Sequence, residues 1–243
     1  MPNPLPDAEV PRALVVGAHP DDIDFGAAGT VARWTRAGTR VTYLVLTHGE
    51  QGGLDDTPRD EIPRIREAEQ RAAAKPVGVD DVRFLTGYRD GYVEVTHDLV
   101  RDITRVIRQT RPVRVLAQSP ERWWDRFPAS HHDHLAAGEA TVRAVYPAAR
   151  NPFAYPELLD DGGLEPWTVR ELWLAAHPTP DHVVDITDTL DAKFAALAAH
   201  ASQTSHSMDD IRRMFRGSLA RAARSSGLGE GRFAEEFKVV YTG

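Results

Sequence analysis

The chain of 243 residues contains no cysteine. That excludes disulfides and thiolate metal sites, so any soft metal must be held by nitrogen and oxygen ligands. There is no excess of positive charge: 29 Lys and Arg stand against 36 Asp and Glu, for a formal net charge of −7. A nucleic-acid partner, which needs a basic face, is therefore not expected. No apolar run approaches the length that crosses a bilayer, so no membrane insertion is expected. The opening segment, Met1 to Pro11, holds acids and prolines but no apolar signal core. It reads as a disordered lead-in without an export signal, and cytoplasmic residence follows as the default. No Gly-x-Gly-x-x-Gly follows the first apolar run, which argues against a nucleotide-binding Rossmann protein. Repeats, low-complexity tracts and a dividing linker are missing too. With 42% hydrophobic and 27% charged residues, the composition is that of an ordinary globule, read as one domain over 1–243.

What is present is concentrated in two places. The run Leu14 to Val16 stops abruptly at Gly17-Ala18-His19-Pro20-Asp21-Asp22. The run is short, branched and bounded by glycine and proline, as a buried parallel strand is. Reacting groups in open α/β sheets sit just past the carboxyl ends of such strands. His19 and Asp22 are three apart, so one helical-type turn aims both the same way and leaves Asp21 for a different job.

The remainder alternates. Phe25 to Ala37 reads as a helix, with Gly26 and Gly29 near its start permitting close approach to the sheet. Strands are expected at Val41 to Leu46, Val82 to Leu85, Val113 to Leu116, Glu171 to Ala176 and Val183 to Ile186. Helices are expected at Pro63 to Lys75, Thr96 to Thr110, Leu135 to Val145, Leu190 to His200 and Met208 to Arg224. Thr47 to Gly53, Gly87 to Gly91 and Gln118 to Ser130 are loops at strand ends. Ala149 to Pro166 reads as an irregular excursion, and Arg232 to Tyr241 as a segment that docks back. Strand and helix in turn, with short connections, argue for βαβ units and a parallel sheet.

The second dense patch, Ser130-His131-His132-Asp133-His134, follows the fourth strand and opens a helix. It thus holds the same topological place as His19. His131 and His134 share a side if the turn is helical, while His132 points away. The simplest assembly is a metal on His19, Asp22 and one histidine of this patch, with His134 favoured. Two neutral ligands and a carboxylate leave an open position for water, as catalytic zinc needs. Asp21 lies beside that water as general base. His131 is placed to protonate a leaving nitrogen or steady an oxyanion, with Asp133 orienting a nearby imidazole. Either cluster alone is as readily structural, since Asp is a common N-cap. Both together, each after a strand, point to chemistry. The lone histidines His48, His97, His177, His182 and His206 read as solvated or structural. Trp123 and Trp124 suit either a sugar-binding wall or simple packing.

At these residues the chain resembles the PIG-L / LmbE-like family of metal-dependent de-N-acetylases. Ala18-His19-Pro20-Asp21-Asp22 and His131-His132-Asp133-His134 carry the likeness. Thr47-His48-Gly49-Glu50-Gln51-Gly52 resembles the family's Thr-x-Gly-Glu-x-Gly turn, and Arg66-Glu67-Ala68-Glu69 its Arg-x-x-Glu helix. Gly87 to Gly91 resembles its aspartate loop and His200-Ala201-Ser202-Gln203 its His-x-Ser-Gln, so the match spans roughly residues 12 to 205. The resemblance implies a Rossmann-like three-layer α/β/α sandwich with a mostly parallel sheet, its catalytic core at about 12–205 and C-terminal helices over 206–243. It implies zinc, or ferrous iron in its place, on His19, Asp22 and His134. It implies Asp21 as base, His131 as acid or oxyanion stabiliser with Asp133 as its partner, and Arg66 and Asp90 as holders of substrate hydroxyls. The implied substrate is a small N-acetyl amino sugar. The family includes monomers and hexamers, so a homo-oligomer stays open. Three departures stand out. Ile23, followed by Asp24, replaces a Glu common after the paired aspartates. His132 replaces a Pro, and Pro76-Val77-Gly78 replaces Leu-Gly.

Two readings from other classes compete. A non-haem iron oxygenase also uses two histidines and a carboxylate, and a non-catalytic metal or sugar binder would need none of the acid–base residues.

Overall fold

The computed structural model describes residues 4–53 and 56–243. A seven-stranded sheet organises them, with strands β1 (Arg12–Gly17), β2 (Arg40–Val45), β3 (Asp81–Phe84), β4 (Arg114–Gln118), β5 (Glu171–Ala175), β6 (His182–Asp185) and β7 (Ala234–Tyr241). Their order is β3-β2-β1-β4-β5-β7-β6. The first five in that order run parallel, and β7 pairs antiparallel with both β5 and β6. The segment expected to dock back is therefore a strand inserted inside the sheet. The tail beyond residue 206 is a helix followed by this strand, in place of helices alone.

Alternation along β1 sends Ala13 and Val15 to one face and Leu14 and Val16 to the other. Helices α1 (Asp22–Arg36), α2 (Ile62–Ala74), α6 (Leu190–Ala199) and α8 (Met208–Ser225) cover the first face; α3 (His97–Thr110) and α4 (His132–Val145) cover the second. This is the three-layer sandwich, with a fully buried sheet between. Local chemistry sets the ends. Thr96 Oγ1 caps α3 by accepting from Leu99 N at 3.1 Å, and Pro63 sits in the first turn of α2. A Cβ on Gly29 would lie 2.6 Å from Ile186, so glycine is what lets α1 approach the sheet edge. No helix among the described residues is long and apolar enough to cross a membrane.

Two expectations change. Residues 1–3 of the lead-in lie outside the described residues, but residues 4–11 are held in place. Arg114 is buried on β4 and needs acceptors. It finds Glu171 Oε2 at 2.8 Å, Asp7 Oδ1 at 3.0 Å and the Leu5 carbonyl at 2.9 Å. Val10 is buried with them. The stretch 149–166 contains a short helix, α5 (Pro156–Asp160), whereas the helix expected over 190–200 is present as α6, followed by a further short turn of helix, α7 (Ala201–Thr204).

Candidate metal centre and active site

The site lies where the strand order reverses. Chain connections leave β1 toward β2 on one side and reach β4 on the other, so a crevice opens past the carboxyl ends of β1 and β4. Ala18 N donates to Gln118 Oε1 at 3.1 Å, tying these two strand ends together. His19 N donates to Asp22 Oδ2 at 2.7 Å and fixes the turn into α1. His131 opens α4 as its N-cap, its Nδ1 accepting from Asp133 N at 3.3 Å.

His19, His131 and His134 form a near-equilateral triangle, with ring centroids 5.2 to 5.3 Å apart. One ring nitrogen from each lies within 4.8 Å of the other two. Asp22 spans two of them: Oδ2 is 3.2 Å from His19 Nδ1 and Oδ1 is 3.0 Å from His134 Nε2. The far nitrogens are also engaged. His134 Nδ1 donates to the Ala129 carbonyl at 3.3 Å, which leaves the Nε2 lone pair facing Asp22. His19 Nε2 meets Asp133 Oδ2 at 2.9 Å and Asp90 Oδ1 at 3.1 Å, which turns Nδ1 toward Asp22.

Three carboxylates thus converge on one imidazole. Burial alone would lower the His19 pKa, but Asp22, then Asp133 and Asp90, push it up to about 12. Burial opposes ionisation of Asp22 too, yet His134 and His19 hold its carboxyl well below the usual range. A buried excess of carboxylate needs a cation, and the donors gathered here are the nitrogens of His19, His131 and His134, with the Asp22 carboxylate touching the first and the last. That set fits zinc or ferrous iron.

Asp21 stands beside this set at φ 89°, a conformation that costs a non-glycine residue about 1–3 kcal/mol. Arg66 Nη2 donates to Asp21 Oδ2 at 3.0 Å and to the Pro20 carbonyl at 2.6 Å. Burial first, then Asp22, raises the Asp21 pKa to about 7 against the pull of Arg66 and His200. His131 shifts the other way: burial and the neighbouring His19 and His134 lower its pKa. A cavity of about 400 Å³ opens over these groups, lined by His19, Asp21, Gln51, Arg66, Asp90 and His131 among others.

Two details differ from expectation. The Asp133 carboxylate serves His19 and His132, and it accepts from Gly91 N and Val93 N at 2.7 and 3.1 Å; its link to His131 runs through its backbone N–H. His132, expected to point away, bonds the Gly91 carbonyl at 2.7 Å and so pins the loop carrying Asp90. Among the lone histidines, His48 is half-buried, bonded to Glu67 at 2.6 Å and stacked on Phe84. His177 is buried with Thr179 N on its Nδ1.

Behind Asp21 lies a buried polar chain that no spacing announced. Gln70 Oε1 accepts from Asp21 N and Gln70 Nε2 donates to Asp24 Oδ2, both at 2.8 Å. His200 Nε2 meets the same oxygen of Asp24 at 2.8 Å. Lys193, with no exposure, donates to the Asp24 and Phe25 carbonyls and to Glu235 Oε1 at 2.7 Å. Glu235 in turn accepts from Gly29 N and Thr30 N. The late His-x-Ser-Gln segment closes the same layer: Ser202 bonds Glu69 and Gln203 bonds the Gly52 carbonyl.

Residues 14–145 match the PIG-L family, described as GlcNAc-PI de-N-acetylase. The chain is 35% identical over 207 residues to the probable N-acetyl-alpha-D-glucosaminyl L-malate deacetylase 2 of Bacillus cereus, a stretch covering 82% of this chain and 86% of that one. It is similar in structure to the N,N'-diacetylchitobiose deacetylase of Pyrococcus horikoshii, with a TM-score of 0.83, 28% identity, and 96% and 85% of the two chains covered. The 4-carboxy-2-hydroxymuconate hydratase of Pseudomonas putida shares the fold at a TM-score of 0.77 and 23% identity, over 96% and 97% of the two chains. The fold thus hosts more than one chemistry, but the matched stretch holds every residue of the two clusters, and this chain belongs to the PIG-L family.

Proposed function

We propose that this chain is a zinc-dependent hydrolase that removes the acetyl group from an N-acetyl amino sugar of the GlcNAc type or its conjugate. The observation that carries the reading is the meeting of Asp22 with both His19 and His134, at 3.2 and 3.0 Å, directly beside a buried Asp21. His19, Asp22 and His134 are the residues that would hold the metal; ferrous iron suits the same donors. When bound there, the cation supplies Lewis acidity, polarising the amide carbonyl and lowering the pKa of a water to about 7.

The chain's own residues supply the rest. Asp21 takes the proton of the attacking water, and a pKa raised to about 7 matches a general base working near neutrality. Arg66 fixes its carboxylate through Oδ2. Asp133 and Asp90 hold the far nitrogen of His19, and so orient a metal ligand. His131 accepts a backbone N–H at Nδ1, so its neutral ring carries the proton on Nε2. A lowered pKa keeps it neutral, as a donor to the oxyanion of the attacked carbonyl requires. Asp90, and Arg66 through the part of its guanidinium not bound to Asp21, are the groups for sugar hydroxyls on the cavity wall.

Acetate release from a panel of N-acetylglucosamine conjugates tests this. Zinc-loaded protein is expected to yield acetate and free amine in equal amounts without oxygen or a reductant, and chelated protein none. Metal-replete protein that releases no acetate from any member, or that needs oxygen to act, overturns the reading.

A further inference from the structure

A second cavity, of about 270 Å³, lies on the other side of His134. Its walls include Asp22, Pro128 and His134, and the last two also line the 400 Å³ cavity over Asp21. The two spaces therefore flank the candidate metal centre. Their linings differ in kind. The larger carries Asp90, Arg66 and Gln51, a set of hydrogen-bonding groups suited to hydroxyls. The smaller is more apolar than polar: Phe25, Ala175, Phe215, Leu219, Ala222 and Trp123 line it, alongside Gln118, Arg126, His177, Glu235 and Glu236. Phe25 and Phe215 contact each other with ring centroids 5.6 Å apart and form an aromatic patch in that wall. Among the described residues, none of 151–164 lines either cavity; α8 and the turn after β5 contribute to the wall of the smaller one.

An N-acyl amino sugar has the same division: a hydroxyl-rich ring and an apolar chain joined by the amide that reacts. With the ring on the side of Asp90 and the amide at His134, the acyl chain points to the apolar side. An acetyl group offers one methyl to a space that, at about 30 Å³ per water-sized group, has room for on the order of nine. Resting on the deacetylase reading above, we infer that this chain is an N-acyl amino-sugar amidase that accepts acyl chains longer than acetyl, seated between α1, α8 and the end of β5. In the reaction the C–N bond breaks and water supplies the new C–O bond. The water's proton passes by way of Asp21 to the departing nitrogen, leaving a fatty carboxylate and an amino sugar.

The test is a series of N-acyl glucosamines from acetyl to octanoyl, assayed with zinc-loaded protein for amine release. The expected result is a rise in kcat/KM of about fourfold per added methylene through the first four carbons beyond acetyl. Gly26 lines the cavity, and a Cβ there would sit 3.7 Å from Ala175, an ordinary contact. Gly26→Leu therefore puts a side chain into the space without backbone strain and is expected to lower the hexanoyl-to-acetyl ratio of kcat/KM at least tenfold. Ser218→Phe, from α8, is expected to do the same from the opposite wall. Acetyl hydrolysed best, with the ratio unmoved in both variants, overturns the inference while leaving deacetylation intact. A series in which glycosidic substituents, and not acyl length, raise kcat/KM overturns it as well. Failure to cleave any member, acetyl included, is the separate failure of the deacetylase reading.

Discussion

The two sides of Asp21 are built differently. In front stands a set of imidazoles and carboxylates drawn from two short motifs, partly open to a cavity. Behind it runs the fully buried chain Gln70–Asp24–His200, with Lys193 and Glu235 below. The front is the set proposed to bind the metal and react. The rear is arranged to hold a backbone at φ 89° that an aspartate would not adopt alone. Positioning and chemistry are thus assigned to separate residues, and substitutions on the two sides should fail in different ways.

The largest effect is expected in front. Asp21→Asn should retain metal and lose about two to four orders of magnitude in turnover. The parent's kcat/KM should rise with pH as Asp21 ionises, because only the carboxylate accepts a proton. With its pKa raised to about 7 by burial and Asp22, the rising limb belongs at pH 7, or below it once a bound cation draws the value down. Asn should abolish that limb; a variant with the parent's rate and profile would show that the base lies elsewhere.

Next comes the foundation of the rear. Lys193→Met leaves Glu235 buried without its cation and should cost about 3–5 kcal/mol in urea unfolding. Stability within 1 kcal/mol of the parent would mean that solvent reaches Glu235. Gln70→Met sharpens the contrast further. It removes the acceptor for Asp21 N and a donor to Asp24. About 1–3 kcal/mol of stability and roughly tenfold in kcat should be lost, with metal content and KM unchanged. Loss of metal instead would place Gln70 with the front groups.

The smallest change concerns the rim. His132 is exposed and pins the Gly91 carbonyl. His132→Ala should raise KM by roughly twofold to fivefold and leave kcat nearly unchanged, since one exposed hydrogen bond contributes only about 1 kcal/mol. A large fall in kcat would assign His132 to the chemistry.

The contrast also explains what could be read without coordinates. The proximity of His19, Asp22 and His134 was legible because local turns after strands compress these candidate ligands into two motifs, and strand periodicity placed both at one sheet edge. The parallel strands β1 to β5 were legible for the same reason. The rear was legible only in part: His200 stood out in its His-x-Ser-Gln segment and Asp24 beside Ile23, but Gln70, Lys193 and Glu235 are distant in sequence, and each alone looks like an ordinary surface residue. Only the crossing of α1, α2 and α6, with β7 against α1, brings them together. Strand β7 was foreseen only as a returning segment, because its insertion between β5 and β6 depends on pairing partners far away. The order of the lead-in was hidden likewise in Arg114, whose need for acceptors appears only once β4 is buried.

The central claim is that His19, Asp22 and His134 grip one divalent ion. Metal analysis of the purified protein beside His19→Ala, Asp22→Ala and His134→Ala tests it most directly, with folding checked by circular dichroism. The account predicts one equivalent of zinc or iron per chain in the parent and little or none in each folded variant. Full metal content in any one of the three would contradict it.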